Sequence, residues 1–238
     1  MKHFNYETAI NQLGLDKKQI VNKNLNLDKM PEFANLTNFK KLFLPYVKII
    51  CDSREQDRWL EDYAKYYGIQ TISAKKGNER ENLKEGDYTF VVDFGNQTFD
   101  FTGIVSYERK GNISEFYRNC QQDRKRVKRE FDRFGAKQYE KVVLMLQFGE
   151  QLTDLINLKF YYYEKDENGK PKQVSKNTHH TMFSTVMSWK QPNNNNFDII
   201  QSANKAKLFW LMLLDMYYFF RNYLREECIA QDLIEVVE

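Results

Sequence analysis

The chain has 238 residues, 42% hydrophobic and 29% charged, the balance of a folded globular protein rather than a disordered one. Aromatics make up 15%, with 18 Phe and 15 Tyr against 10 Gly and 4 Pro, so a well-filled core with short loops is expected. The net charge is only +3, so a surface suited to a polyanion must be local. Three scattered cysteines, Cys51, Cys120 and Cys228, make neither a disulfide framework nor a zinc site and fit a reducing, cytoplasmic setting.

Residues 1–45 are Asn- and Lys-rich and weakly patterned, and are read as an N-terminal extension without the apolar core of a signal peptide. A short β-rich run at 46–51 is followed by Asp52 and a helix over about 54–67, closed by Gly68. Residues 69–73 read as another strand. Two runs rich in Val, Phe, Tyr and Thr, 89–94 and 98–107, flank Gly95-Asn96 and predict a hairpin. A helix over 113–134 ends at Gly135, and 141–148 has the continuous apolar look of an interior strand. A second hairpin turns at Asn168-Gly169. A helix over 178–189 follows, with His179 and His180 at its start as surface residues, then a polar loop at 191–196 and a strand at 197–201.

The last element is a long helix over about 203–224. Its stretch from Leu208 to Phe220 is apolar or aromatic except at Asp215, too short for a bilayer, which needs about 20 residues. It is apolar almost all the way round, so both of its sides must be covered, by the N-terminal segment or by a second copy. Strands alternating with helices, plus hairpins, mean an α/β protein with a mixed central sheet flanked by helices. The domain limits expected are 1–45 for the extension, 46–226 for the main domain and 227–238 for a tail.

Three acidic motifs lie near strand ends in order: Asp52-Ser53-Arg54-Glu55, Gly86-Asp87-Tyr88 and Glu108-Arg109-Lys110. In a strand, residues i and i+2 share a face, so Glu108 and Lys110 project together and Arg109 points away. Such a pair is either a same-face ion pair or half of a metal-hydrolase site. Phosphodiester hydrolysis needs a cation against developing charge and an oriented, acidified water. Mg²⁺ takes only one or two protein carboxylates and keeps several waters. Asp87 and Glu108 supply those carboxylates, the Arg109 carbonyl is a candidate third ligand, and Lys110 positions the water. If the first hairpin turned tightly, Asp87 would face Ile104 and Glu108 would lie ~13 Å farther along. A bulge near Thr102-Gly103, or a strand leaving the hairpin after Gly103, would bring them together.

The three motifs in this order resemble the nuclease domain of the XPF-type structure-specific endonucleases, over about residues 46–224. The helix with Phe116-Tyr117 and the later run from Asp123 to Glu130 belong to the resemblance, which looks closest to compact phage and bacterial members. It implies a restriction-endonuclease-like fold and a Mg²⁺- or Mn²⁺-dependent DNA endonuclease acting on branched or structured DNA, in repair or recombination. The catalytic residues implied are Asp87, Glu108, Lys110, Asp52 and Arg109. The metal ligands implied are Asp87, Glu108 and Asp52. Where that family has an Asp after Glu-Arg-Lys, this chain has Ser114, and Glu115 is the substitute expected to face the cluster. Asp52 is equally readable as a helix N-cap, and Glu55 leans structural.

DNA contact is expected from Arg54, Arg118, Arg124, Lys125 and Lys128, although i,i+4 pairing with Asp123, Glu130 and Asp132 would absorb part of that charge. DNA is the partner implied, with pairing of two copies through the nuclease domain and no membrane. The alternative reading is a DNA-binding scaffold that keeps the fold and has lost hydrolysis.

Overall fold

The computed structural model describes residues 43–55, 57–75, 82–95, 98–149, 159–177, 181–190 and 197–230. A seven-stranded mixed sheet forms the centre. Its strands are β1 (Val47–Asp52), β2 (Gln70–Ala74), β3 (Tyr88–Asp93), β4 (Thr98–Asp100), β5 (Val105–Lys110), β6 (Lys141–Leu146) and β9 (Phe197–Gln201). The order is β2-β1-β3-β5-β6-β9, with β4 also paired to β3. The β1–β3 and β3–β5 pairs are antiparallel, and β1–β2, β5–β6 and β6–β9 are parallel. Strands β7 (Lys159–Lys165) and β8 (Pro171–Asn177) form a separate hairpin, turning through Gly169 at φ 78°.

Helices cover both faces, as the alternation of elements predicts. On one face lie α1 (Trp59–Tyr66) and α5 (Lys205–Ala230), whose Trp59, Leu60, Phe209, Met212, Met216 and Phe220 pack against Ile49, Phe90, Val105 and Tyr107 of the sheet. On the other lie α2 (Ile113–Cys120), α3 (Arg124–Ala136) and α4 (Thr181–Lys190), sealed around Phe116, Phe131, Phe134, Leu144, Trp189 and Phe197.

Two expected helices differ, each for a local reason. The helix predicted from Arg54 begins only at Trp59, because Asp52 takes the Arg54 N–H at 2.7 Å and folds the chain into a turn. Asp52 is therefore not the N-cap of that helix. The helix predicted over 113–134 is two helices, broken at Gln121-Gln122-Asp123, where the Asp123 N–H reaches back to the Arg118 carbonyl. Gly135 does not end α3. The left-handed position falls on Gln138 at φ 55°, with the Tyr139 N–H bonded to the Phe134 carbonyl in a Schellman closure.

The polar interruption of α5 has a use: Asp215 accepts the buried Tyr107 hydroxyl at 2.8 Å and pairs with Lys141 at 2.9 Å. The flanks of α5 are covered by residues of the same chain. Trp210 packs on Tyr67 of the α1 end and donates its indole N–H to the Tyr67 hydroxyl, and Tyr223 packs on Phe99 and Phe101. Phe43 is fully buried against Tyr217 and Phe220. Among the described residues no helix is long and apolar enough to cross a membrane. Residues 1–42, His179, His180 and the 191–196 loop lie outside the described residues.

Candidate active site

The first hairpin decides where Glu108 goes. Asp100 faces Val91, yet Tyr107 faces Tyr88, so seven steps along one strand match three along the other. The surplus of four, Phe101 to Ile104, loops out as a turn in which Ile104 and Val105 both donate to the Phe101 carbonyl and Gly103 takes φ 82°. Strand β5 then resumes on the edge of β3 that β4 has left. The ~13 Å problem is thus removed by both devices at once, an insertion at Thr102-Gly103 and a new strand after it.

Extending that register by one residue aligns Asp52, Asp87 and Glu108 abreast on three neighbouring strands. The Asp52 N–H bonds the Asp87 carbonyl at 2.8 Å and the Asp87 N–H bonds the Tyr107 carbonyl at 2.9 Å. Residues directly opposite in an antiparallel pair are about 5 Å apart. Gly86 makes the approach possible. It sits at φ 76°, and a Cβ there would stand 1.9 Å from Ser106 Oγ. Only a residue without a side chain can cross Ser106 and deliver Asp87 opposite Glu108.

Glu108 and Lys110 share the face turned towards α3, as the strand alternation predicts, and both are buried at 5% exposure. Lys110 Nζ donates to Glu108 Oε1 at 2.5 Å. Asp87 Oδ2 accepts the Arg109 backbone N–H at 2.7 Å. Burial, and then the neighbouring Glu108 charge, push the Asp87 carboxyl well above the usual carboxylate range, against the pull of Lys110. For Lys110, burial disfavours the charge, but Glu108 and Asp87 outweigh it and hold the ammonium above its ordinary value.

The remaining predicted residues divide. Asp52 reaches the row, but both of its oxygens are held by Arg54, at 2.8 Å from Nε and Nη2. Arg54 also donates to the Leu83 carbonyl, so this candidate phosphate contact is partly committed to the fold. Arg109 turns its guanidinium to the opposite face, where Asp57 and Gln147 each accept at 2.6 Å, Glu55 lies at 3.6 Å and Trp59 stacks at 5.3 Å. Its side chain holds the strand, and its backbone N–H serves Asp87.

Glu115 does not join the carboxylates. Its Oε2 accepts the Gly111 N–H at 2.8 Å while Asn112 caps the Glu115 N–H, closing the first turn of α2. The Arg109 guanidinium approaches the same side of Gly111. Of the cationic residues, Lys128 is bonded to Asp132 at 2.7 Å and Arg124 reaches Ser188 at 3.4 Å. Arg118, Lys125 and Arg129 are exposed, with no acid in ion-pair reach among the described residues.

A pocket of about 410 Å³ opens in front of the row, lined by Asp52, Arg54, Glu85, Asp87, Glu130 and Arg133 among others. Two of these acids escaped the sequence reading. Glu85 is buried and anchored to α3, with Arg133 at 3.2 Å and a contact to Lys137, which fixes the segment entering Gly86-Asp87. Glu130 projects from α3. Its place was legible in principle, since Val127 three residues before and Phe134 four residues after put it on the buried side of the helix.

The class the fold and site define is a mixed α/β sheet with a carboxylate–lysine cluster at the ends of three adjacent strands. No family model and no curated protein matches the chain. Among solved structures, XPF from Aeropyrum pernix is similar at 12% identity and a TM-score of 0.47, over 77% of this chain and 71% of that one.

Proposed function

We propose that the chain is a divalent-cation-dependent endonuclease that hydrolyses DNA phosphodiester bonds, with branched or otherwise structured DNA as its substrate class. The observation that carries this reading is Asp87 lying opposite Glu108 with Lys110 beside it on one face, Asp87 itself lining an open pocket. An ion pair that merely stabilised the sheet would not need a second carboxylate forced up to it by a glycine crossing and a four-residue insertion.

Among the described residues no three His, Cys, Asp or Glu side chains converge as a preformed metal cage. Two carboxylates with hard oxygen donors are nevertheless what Mg²⁺ or Mn²⁺ uses when it keeps its waters, and the raised Asp87 carboxyl marks negative charge that a cation would relieve. The residues fit the ion. Asp87 and Glu108 would hold it, and when bound it supplies charge neutralisation and an acidified water. Lys110, buried and charged, orients Glu108 and has two further N–H donors for a water or a phosphate oxygen. Exposed Arg118, Arg124 and Lys125 provide the backbone-phosphate contacts, and a homodimer through this domain is part of the proposal.

Two features favour a second reading, a DNA-binding scaffold without hydrolysis: Glu115 is committed to the α2 cap, and Asp52 to Arg54. A panel of labelled flaps, forks and linear duplexes incubated with Mg²⁺, Mn²⁺ or EDTA separates the two. Metal-dependent cleavage supports the nuclease. DNA binding with no cleavage under any ion supports the scaffold.

A further inference from the structure

Charge pairing around the pocket is uneven. Among the lining acids, Asp52 is neutralised by Arg54 through paired 2.8 Å bonds, Glu85 by Lys137 and Arg133, and Glu55 faces the Arg109 guanidinium at 3.6 Å, while Glu108 beside the pocket is paired with Lys110. Two acids of the pocket have no such partner. Asp87 has only a backbone N–H. Glu130, its side chain 17% exposed, has Arg126 no nearer than 3.9 Å, on an arginine that is itself 58% exposed and shared with Asp123. Both line the pocket, Asp87 from the strand end and Glu130 from α3. Burial, and then the charge of Glu108, raise the Glu130 carboxyl against the pull of Lys110.

We infer that Glu130 is the third acid of the cation site, holding a water of the bound Mg²⁺ or Mn²⁺ from the α3 wall, in the place that neither Ser114 nor Glu115 fills. The inference rests on the proposed cation site at Asp87 and Glu108. The contact is assigned through water because Mg²⁺ retains most of its hydration shell, and among the described residues no three acids form a direct cage. Groups that orient a metal's ligands from outside its coordination sphere typically change affinity by 10- to 100-fold. The assignment also explains why an acid is placed on the buried side of a helix otherwise sealed by Val127, Phe131 and Phe134.

The test is Mn²⁺ binding by the purified full chain, measured by titration calorimetry without DNA, for wild type and for Glu130→Gln, Asp87→Asn and Asp132→Asn. Asp132 sits on the same helix in an exposed pair with Lys128 and serves as the control. Expected are loss of binding in Asp87→Asn, affinity weakened by roughly 10-fold in Glu130→Gln, and wild-type affinity in Asp132→Asn. Restoration by Glu130→Asp, with its shorter reach, would be partial. Thermal melting of each variant establishes that it is folded. Unchanged affinity in a folded Glu130→Gln beside lost binding in Asp87→Asn overturns the role of Glu130 and leaves the site standing. Absence of Mn²⁺ binding by the wild type overturns both.

Discussion

Gly86 is held at φ 76° with Ser106 Oγ 1.9 Å from where a Cβ would be. A left-handed backbone costs an L-residue about 1–2 kcal/mol, and the overlap adds to it. Gly86→Ala is therefore expected to lose ~2–4 kcal/mol of stability in denaturant titrations. Ser106→Ala in the same protein should recover the steric part and leave the backbone part, so the double variant lies between the two. Equal stability of Gly86→Ala and wild type would contradict the crossing. At Asp87 the sign of the pH effect is fixed by the direction of its shift. A carboxyl raised in the folded state contributes stability below its unfolded pKa, and that contribution is lost as pH rises through the folded value. Asp87→Asn, which cannot ionise, should thus melt higher than wild type, with a gap that opens above about pH 4, the ordinary aspartate value, and widens as the pH rises in metal-free buffer. A gap that shrinks over that range would mean the carboxylate is stabilised rather than crowded.

At the scale of elements, β5 is clamped from its far face by Arg109, which joins Asp57, Glu55 and Gln147 under Trp59. Asp57 in turn takes Lys205 at the start of α5. Asp57 is half exposed and keeps Lys205, so removing Arg109 leaves hydrogen-bond acceptors unsatisfied at a cost of about 1–3 kcal/mol rather than stranding a buried charge. Arg109→Ala should lose that much. Arg109→Lys should recover little, since a lysine cannot reproduce the planar fork. Chemical denaturation checks both, and a neutral Arg109→Ala would remove the clamp.

The same strand shows what periodicity can and cannot reveal. Alternation alone placed Glu108 with Lys110 and turned Arg109 away, and β9 was bounded correctly by its turn residues and apolar run. The four-residue insertion at 101–104 was only one of two devices allowed, since a register is set by pairing partners that local pattern does not name. The break between α2 and α3 carries no Gly or Pro and was invisible for that reason. Glu115 was expected at the site as the acid one residue beyond Ser114, but capping claims an Asp or Glu in a helix's first turn just as readily. Glu130 was hidden in a run of charges that reads as a solvated face until the helix is docked.

For the whole molecule, one sheet face is sealed by α5 and the other by the α2–α3–α4 layer, and the described pocket lies at the strand ends beside the acidic row. Cover for α5 was expected from residues 1–45 or from a second copy, and residues 1–42 lie outside the described residues. Much of that cover comes from Tyr67, Phe99, Phe101 and Phe43 of the same chain. With an overall charge of +3, the proposed DNA contact falls to local cations such as those of α2 and α3. Because such contacts release counterions, binding of a labelled duplex should weaken steeply with salt, and Lys125→Ala should lower the slope of log affinity against log salt by about 1. A slope unchanged in Lys125→Ala and in Arg118→Ala would place the DNA elsewhere.

The central claim is that Asp87, Glu108 and Lys110 act together on a phosphodiester bond. Its most direct measurement is the single-turnover cleavage rate of a labelled flap with Mn²⁺, for the wild type and for Asp87→Asn, Glu108→Gln and Lys110→Ala, each shown to be folded and to bind the flap in EDTA. Losing a positioned charge or proton-transfer group at such a centre is worth about 100-fold or more. The account predicts metal-dependent cleavage by the wild type and at least ~100-fold slower cleavage in each variant, with flap binding retained. A folded Asp87→Asn protein that cuts at the wild-type rate would contradict it.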